Sequence, residues 1–266
     1  MTEEDPHSDI SRLVAQLTES FTLALLQIQT QWQSTMKAVV EQVEESWRPY
    51  ISMLAAAPEF FKQLPGELRP GILEMAKRGW YISAEMSIPE LRELCNLAEA
   101  GKWERLDSMM QIWIEQEIQG ITLRACTRFP RRKKILKDVM VAHTERKYSL
   151  SVPVLLIQTE GMCIDTFEGK KLFQTKDGVP VIGDYIKQYA DSPLSEVFLF
   201  PLQVQLGLTA TEGIRAQFPE APNRHEIIHG IDIEYPIEIT SQKVISLMEY
   251  FVTVVVPPDR EKPVCC

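Results

Sequence analysis

An all-α protein is predicted by three features of this sequence. Residues 8–48 contain neither glycine nor proline, and their apolar residues recur at helical spacing. Start and stop signals then punctuate the chain at helix-length intervals, as in Ser87-Ile88-Pro89-Glu90 followed by Gly101. Alternation of the strand type is confined to short stretches, chiefly residues 231–239 and the valines 254–256.

The first helix carries the longest pattern. Ile10, Val14, Leu17, Phe21, Leu25, Ile28, Trp32, Met36, Val39, Val43, Trp47, Tyr50 and Leu54 step by four, three and four. That eleven-residue period keeps one stripe on a nearly straight helix. Some 40 residues at about 1.5 Å each reach about 60 Å, and Pro49 is placed to kink the end. The stripe fits a helix lying across its own domain, and it also fits an interface with a second copy.

Beyond it, residues 55–71 (AAAPEFFKQLPGELRPG) read as a connector, because Pro58, Pro65, Gly66, Pro70 and Gly71 punctuate them. Ser87 starts the next helix, and Trp103–Arg124 reads as another amphipathic one. A helix capped by Ser151, with Pro153 in its first turn, is predicted to carry Gln158 and Glu160 among apolar neighbours, where buried polar groups need partners. Glu168–Gly178 reads as a polar loop, either hairpin or coil. Residues 231–239 fit an extended segment, and Thr240 is expected to cap a last helix running to Val255, ended by Pro257 and Pro258.

Composition narrows the function. The formal charge of −9 argues against a chain that coats nucleic acid indiscriminately, while permitting a local basic site. Residues 128–137 (RFPRRKKILK) supply one, with Arg128, Arg131, Arg132, Lys133, Lys134 and Lys137, extended by His143, Arg146 and Lys147. This run fits a solvated helix face, and equally a patch that tracks phosphates. Cys95, Cys126 and Cys163 are scattered, and Cys265 and Cys266 end the chain in what reads as a frayed tail. No cysteine or histidine spacing suggests a metal, no glycine loop suggests a nucleotide cofactor, and no apolar run approaches a membrane span. With an acidic start that is no signal peptide, the sequence is expected to be cytoplasmic.

One stretch carries recognisable chemistry. In Pro222-Asn223-Arg224-His225-Glu226-Ile227-Ile228-His229-Gly230, Asn223 is a helix N-cap and Gly230 a helix stop. Between them Arg224 and His229 share one short helix, whose Ile227 and Ile228 face apolar surroundings. Arginine is a fixed cation suited to phosphate, and histidine exchanges a proton near neutral pH. The pair also fits plain capping and pairing inside a helix bundle.

Arg-x-x-x-x-His with a polar residue directly after the arginine, here His225, resembles the signature of HEPN domains, an all-helical nucleotide-binding and RNA-cleaving superfamily. The stretches AHTERKYSLSVPVLLIQTEGM and NRHEIIHG, followed by a tyrosine and another helix, extend the resemblance over roughly the second half of the chain. It implies a HEPN-like domain at 128–258, which the residue patterns set between a long helix at 1–57 with a helical scaffold at 58–127 and a flexible tail at 259–266. It further implies a metal-independent endoribonuclease without cofactor, of the toxin or antiviral-effector kind. Its partners would be RNA, a second copy in a homodimer or higher oligomer, and an antitoxin or defence-system protein. His229 would serve as acid or base, Arg224 would stabilise developing charge, and His225 or Asn223 would position the phosphate. Glu160 or Gln158 would orient Arg224 or His229. Two other readings stand beside it: a non-catalytic module binding RNA, a nucleotide or a protein, and an assembly protein built around the long helix.

From the stripe, residues 8–57 are expected to contribute to self-association. Light scattering of the full chain should give a larger oligomer than a chain beginning near Pro58, and identical monomer masses for both would refute this.

Overall fold

A computed structural model describes residues 62–176, 179–190 and 192–256, with Gln31, Ser34, Lys37, Glu41 and Gln42. The chain divides into residues 1–61 and 62–266. In the first unit the five described residues are helical and exposed, with Ser34 donating to the Gln31 carbonyl at 2.8 Å. The apolar stripe and the oligomer expected from it lie outside the described residues, as does the tail from 259.

The second unit is all-α, with a single hairpin of two-residue strands among its described residues. Its helices are α1 (residues 62–77), α2 (Ile88–Glu99), α3 (Trp103–Arg128), α4 (Lys133–Thr144), α5 (Tyr148–Thr166), α6 (Ile182–Ile186), α7 (Pro193–Leu199), α8 (Glu212–Arg215), α9 (Arg224–Ile228) and α10 (Glu238–Tyr250). Strands β1 (Thr175–Lys176) and β2 (Val179–Pro180) pair antiparallel, so the polar excursion after α5 contains a hairpin. Among the described residues no helix is long and apolar enough to cross a membrane.

From residue 62 onward the predicted connector is instead helical. Leu64, Leu68, Ile72, Met75 and Ala76 repeat every three or four residues and are all buried, so tertiary burial overrides the prolines and glycines of α1. Gly71 is there for close approach: a Cβ on it would lie 2.3 Å from that of Cys95 on α2. The start of α2 is as predicted, with Ser87 and Glu90 forming a reciprocal capping box and Gly101 turning left-handed at φ +65°.

At the centre stands α10, buried along its whole length from Ser241 to Tyr250 and packed on α3 and α5, which α4 also packs against. It begins at Glu238 rather than with a Thr240 cap, and residues 231–237 before it form no strand. Its last turn widens into a π turn at Phe251–Val255, where the Phe251 ring meets the buried rings of Phe129 and Phe167. Helix α5 starts at Tyr148, one turn earlier than predicted, which puts Pro153 inside it. A proline there cannot donate to the carbonyl four residues back, and the Ser149 carbonyl accepts from the Tyr235 hydroxyl instead, at 3.1 Å.

The buried face of α10 is polar as well as apolar. The Ser241 hydroxyl bonds His143 Nδ1 at 2.8 Å and the Ser151 hydroxyl at 3.0 Å, so Ser151 is a core residue and not a cap. His143 likewise belongs to the core and not to a basic face, and burial pushes its pKa down. Lys243, 3 % exposed, donates to the Glu220 carbonyl at 2.7 Å above the Trp80 ring. Burial drives its ammonium down to about 8, against the pull of Asp107 and Glu220 and with the push of Arg78.

An amine whose pKa falls from 10.5 to about 8 on folding penalises the native state below pH 8 and ceases to do so above 10.5. Relative to Lys243→Met, the wild-type protein should therefore gain up to about 3 kcal/mol between those limits. Urea denaturation of both proteins across pH 7–10.5 measures this, and a constant difference would show that Lys243 is not desolvated in the native state.

Candidate functional site

The helix that carries Arg224 and His229 is five residues long, too short to persist without support. Its supports are all tertiary. Asn223, fully buried, caps it by accepting from the Glu226 amide at 3.1 Å. The same side chain donates to the carbonyls of Gly207 and Ala210, at 3.1 and 2.8 Å. Asn223 is thereby engaged with the scaffold through both ends of its amide, and it also lines the pocket beside Arg224.

Arg215 clamps the approach from the other side, pairing with Glu226 at 2.9 Å and donating to the carbonyls of Phe218 and Ala221. Phe218, Ala221 and Ala210 form a small core beneath these bonds, and Ile227 of α9 is buried too. Gly230 ends the helix at φ +69°, as its position predicts.

What this scaffold presents is a cationic and imidazole surface. Arg224 is half-buried, and His225 and His229 are exposed with ring centroids 4.4 Å apart, one helical turn from each other. Arg224 and His225 line a pocket of about 530 Å³, which His229 borders only through His225. The Arg224 guanidinium lies 5.8 Å from the Phe173 ring, and among the described residues it forms no ion pair. Arg78, Arg92, Arg105, Arg124, Arg132 and Arg215, by contrast, each have a carboxylate partner.

The two residues expected to orient the motif are placed differently. Gln158 accepts from Arg132 Nη1 at 2.9 Å, and Arg132 also holds Asp165 at 3.0 Å while lying against Gly161. Glu160 accepts from the backbone amides of Leu172 and Phe173, at 2.6 and 3.1 Å. Its route to Arg224 therefore runs through the Phe173 ring. Nothing in the local sequence marks Phe173, because only the turn after α5 brings it beside a helix fifty residues onward.

The basic run separates into two sets. Arg128 bonds the Val256 carbonyl at 2.8 Å and Arg132 is tied to α5, so both serve the fold. Arg131, Lys133, Lys134 and Lys137 are exposed. Lys133 and Lys137 border a groove of about 680 Å³ between α3 and α4, none of whose lining residues belongs to the Arg224 pocket. Among the described residues no three His, Cys, Asp or Glu side chains converge as a metal-ligand set.

Comparison with protein-family models, curated proteins and solved structures gave no match.

If the exposed cations track an RNA backbone, Arg131→Glu, Lys134→Glu and Lys137→Glu together should weaken binding of every RNA sequence. The slope of log affinity against log salt should fall by about one unit per lost contact. Fluorescence anisotropy at several salt concentrations reads this directly. An unchanged slope would identify the run as a solvated face.

Proposed function

We propose that this chain cleaves RNA by a 2′-hydroxyl mechanism centred on Arg224 and His229. The observation that carries the reading is the joint presentation, on one braced helix, of an arginine without a carboxylate partner and two exposed imidazoles. Arg69, Arg131 and Arg146 also lack a carboxylate partner among the described residues. The reading therefore rests on the combination of the guanidinium, the neighbouring exposed imidazoles and the pocket that Arg224 and His225 line.

The chemistry follows from the groups. A base removes the ribose 2′-hydroxyl proton, and the oxygen attacks the adjacent phosphorus. The bond to the 5′-oxygen breaks as an acid delivers a proton to it, leaving a 2′,3′-cyclic phosphate and a 5′-hydroxyl. His229 serves in proton transfer, a role worth roughly 10²–10⁴-fold. Arg224 neutralises charge that builds on the non-bridging oxygens, where fixed donors act most strongly. His225, between Arg224 and His229, holds the phosphate. Asn223 contributes through the position of the helix it caps.

Since side chains carry each of these steps, cleavage of total RNA should proceed in EDTA and DNA should be inert. Arg224→Ala and His229→Ala proteins with unchanged circular dichroism should be slower by at least about 10²-fold. Cleavage by His229→Ala at the wild-type rate, or a strict magnesium requirement, would refute the mechanism.

A further inference from the structure

The pocket beside Arg224 has walls that the cleavage chemistry does not use. Phe173 lines it with a half-buried ring, next to the guanidinium that would hold the phosphate. Leu208 and Ala210 add apolar wall, and Thr175 and Thr211 add hydroxyls. At about 530 Å³ it falls in the range of small-molecule sites rather than of surface creases. Its carboxylates are Glu226, which is paired with Arg215, and Glu212, which is exposed and has no partner among the described residues.

Resting on the RNA-cleavage reading, we propose that this pocket is a nucleobase site. It would hold the base next to the phosphate at Arg224, with Phe173 as its stacking face and Glu212 as its reader. Two carboxylates in the lining repel a further phosphate but not a neutral heterocycle, so charge sorts the nucleotide into phosphate outside and base inside. Single-stranded bases are bound by stacking on aromatic rings, with sequence read on their exposed edges. An ionised carboxylate accepts hydrogen bonds and donates none. Glu212 therefore favours a base with an exocyclic amine, as in adenine, cytosine and guanine, over uracil, whose single ring N–H donor is flanked by two carbonyl oxygens that repel the carboxylate. Glu160 is a positioning residue here. Its carboxylate, bonded to the Leu172 and Phe173 amides, fixes the turn that sets the ring against Arg224.

The test is calorimetric titration of the full chain with the four nucleoside 3′-monophosphates and with ribose 5-phosphate, which lacks a base. Adenosine, cytidine and guanosine monophosphates should bind about tenfold or more tightly than ribose phosphate, from stacking alone. Uridine monophosphate should be the weakest of the four. Phe173→Ala should reduce all four to the ribose phosphate level and leave that level unchanged, Phe173→Trp should restore them, and Glu212→Gln should narrow the gap to uridine. Glu160→Ala should weaken the base-dependent part alone. Equal affinity for all five probes, or base dependence that survives Phe173→Ala, would overturn the proposal. Because binding is read without turnover, the two ideas fail separately. Arg224- and His229-dependent cleavage with no base dependence refutes the pocket alone. Phe173-dependent base binding in a protein that cleaves nothing supports the pocket and refutes the cleavage reading.

Discussion

A helix buried on every side is destabilised by each polar group that lacks a partner, and α10 carries a row of polar side chains. They are mostly satisfied, with Gln242 Nε2 and Glu249 Oε2 left without a hydrogen bond. Ser241, Gln242, Lys243, Ser246 and Glu249 are all 3 % exposed or less. Glu249 accepts from Arg124 of α3 at 2.8 Å and from Ser83 at 3.0 Å, while Gln242 accepts from Gln111 of α3 at 2.9 Å. Ser246 accepts from the Tyr81 amide, and the Tyr250 hydroxyl donates to the Phe198 carbonyl. Burial raises the Glu249 pKa in spite of Arg124, so the pair is held at a desolvation penalty. Removing one partner of such a pair typically costs about 3–5 kcal/mol, because the other charge is stranded. Apolar packing would tolerate α10 in several rotations; these bonds admit one.

That constraint reaches the candidate site through Lys243. Its ammonium bonds the Glu220 carbonyl, and Gly79 lies where a Cβ would be 2.6 Å from the Pro222 ring. The loop between α8 and α9 is thus pinned from below by α10 and by the turn after α1. Asn223 and Arg215 then pin it from above. A helix of five residues has almost no intrinsic stability, so the direction of Arg224 and His229 is a property of this loop and not of α9. The arrangement suits a catalytic or binding surface, whose groups need fixed positions more than they need local regularity.

How much of this was legible depended on whether the signal was local. The all-helical class, the capping box at Ser87, the Asn223 cap and the Gly230 stop were readable because each depends on a few neighbouring residues. The helicity of residues 62–77 was hidden, since Pro65 and Pro70 read as breakers while the burial of Leu64, Leu68 and Ile72 depends on distant helices. Pro153 misplaced the start of α5 for the same reason: its relief comes from Tyr235, more than eighty residues away. At the site, Arg224, His225 and His229 were visible as a spacing. The destinations of Gln158 and Glu160 were not, because a carboxylate or amide in a buried helix declares a need for partners without naming them. The basic run was visible only as charge, and its division into fold-serving and exposed cations required the partners of Arg128 and Arg132.

Arg224 shares its lack of a carboxylate partner with Arg69, Arg131 and Arg146 among the described residues, and its surroundings set it apart. In a chain of formal charge −9, carboxylates are plentiful, and most structural guanidiniums have found one or have closed a carbonyl. Arg224 lies over an aromatic ring in the lining of a pocket, with the exposed imidazoles of His225 and His229 beside it. An excess of negative charge elsewhere raises the specificity of such a site, because a polyanion gains little from the rest of the surface and must find the local cation. On the proposed reading, a phosphate at Arg224, the imidazoles beside it and a pocket with an aromatic wall would together meet the chemistry of one nucleotide. The fit lies in that combination, since any one of these chemistries alone is common on proteins.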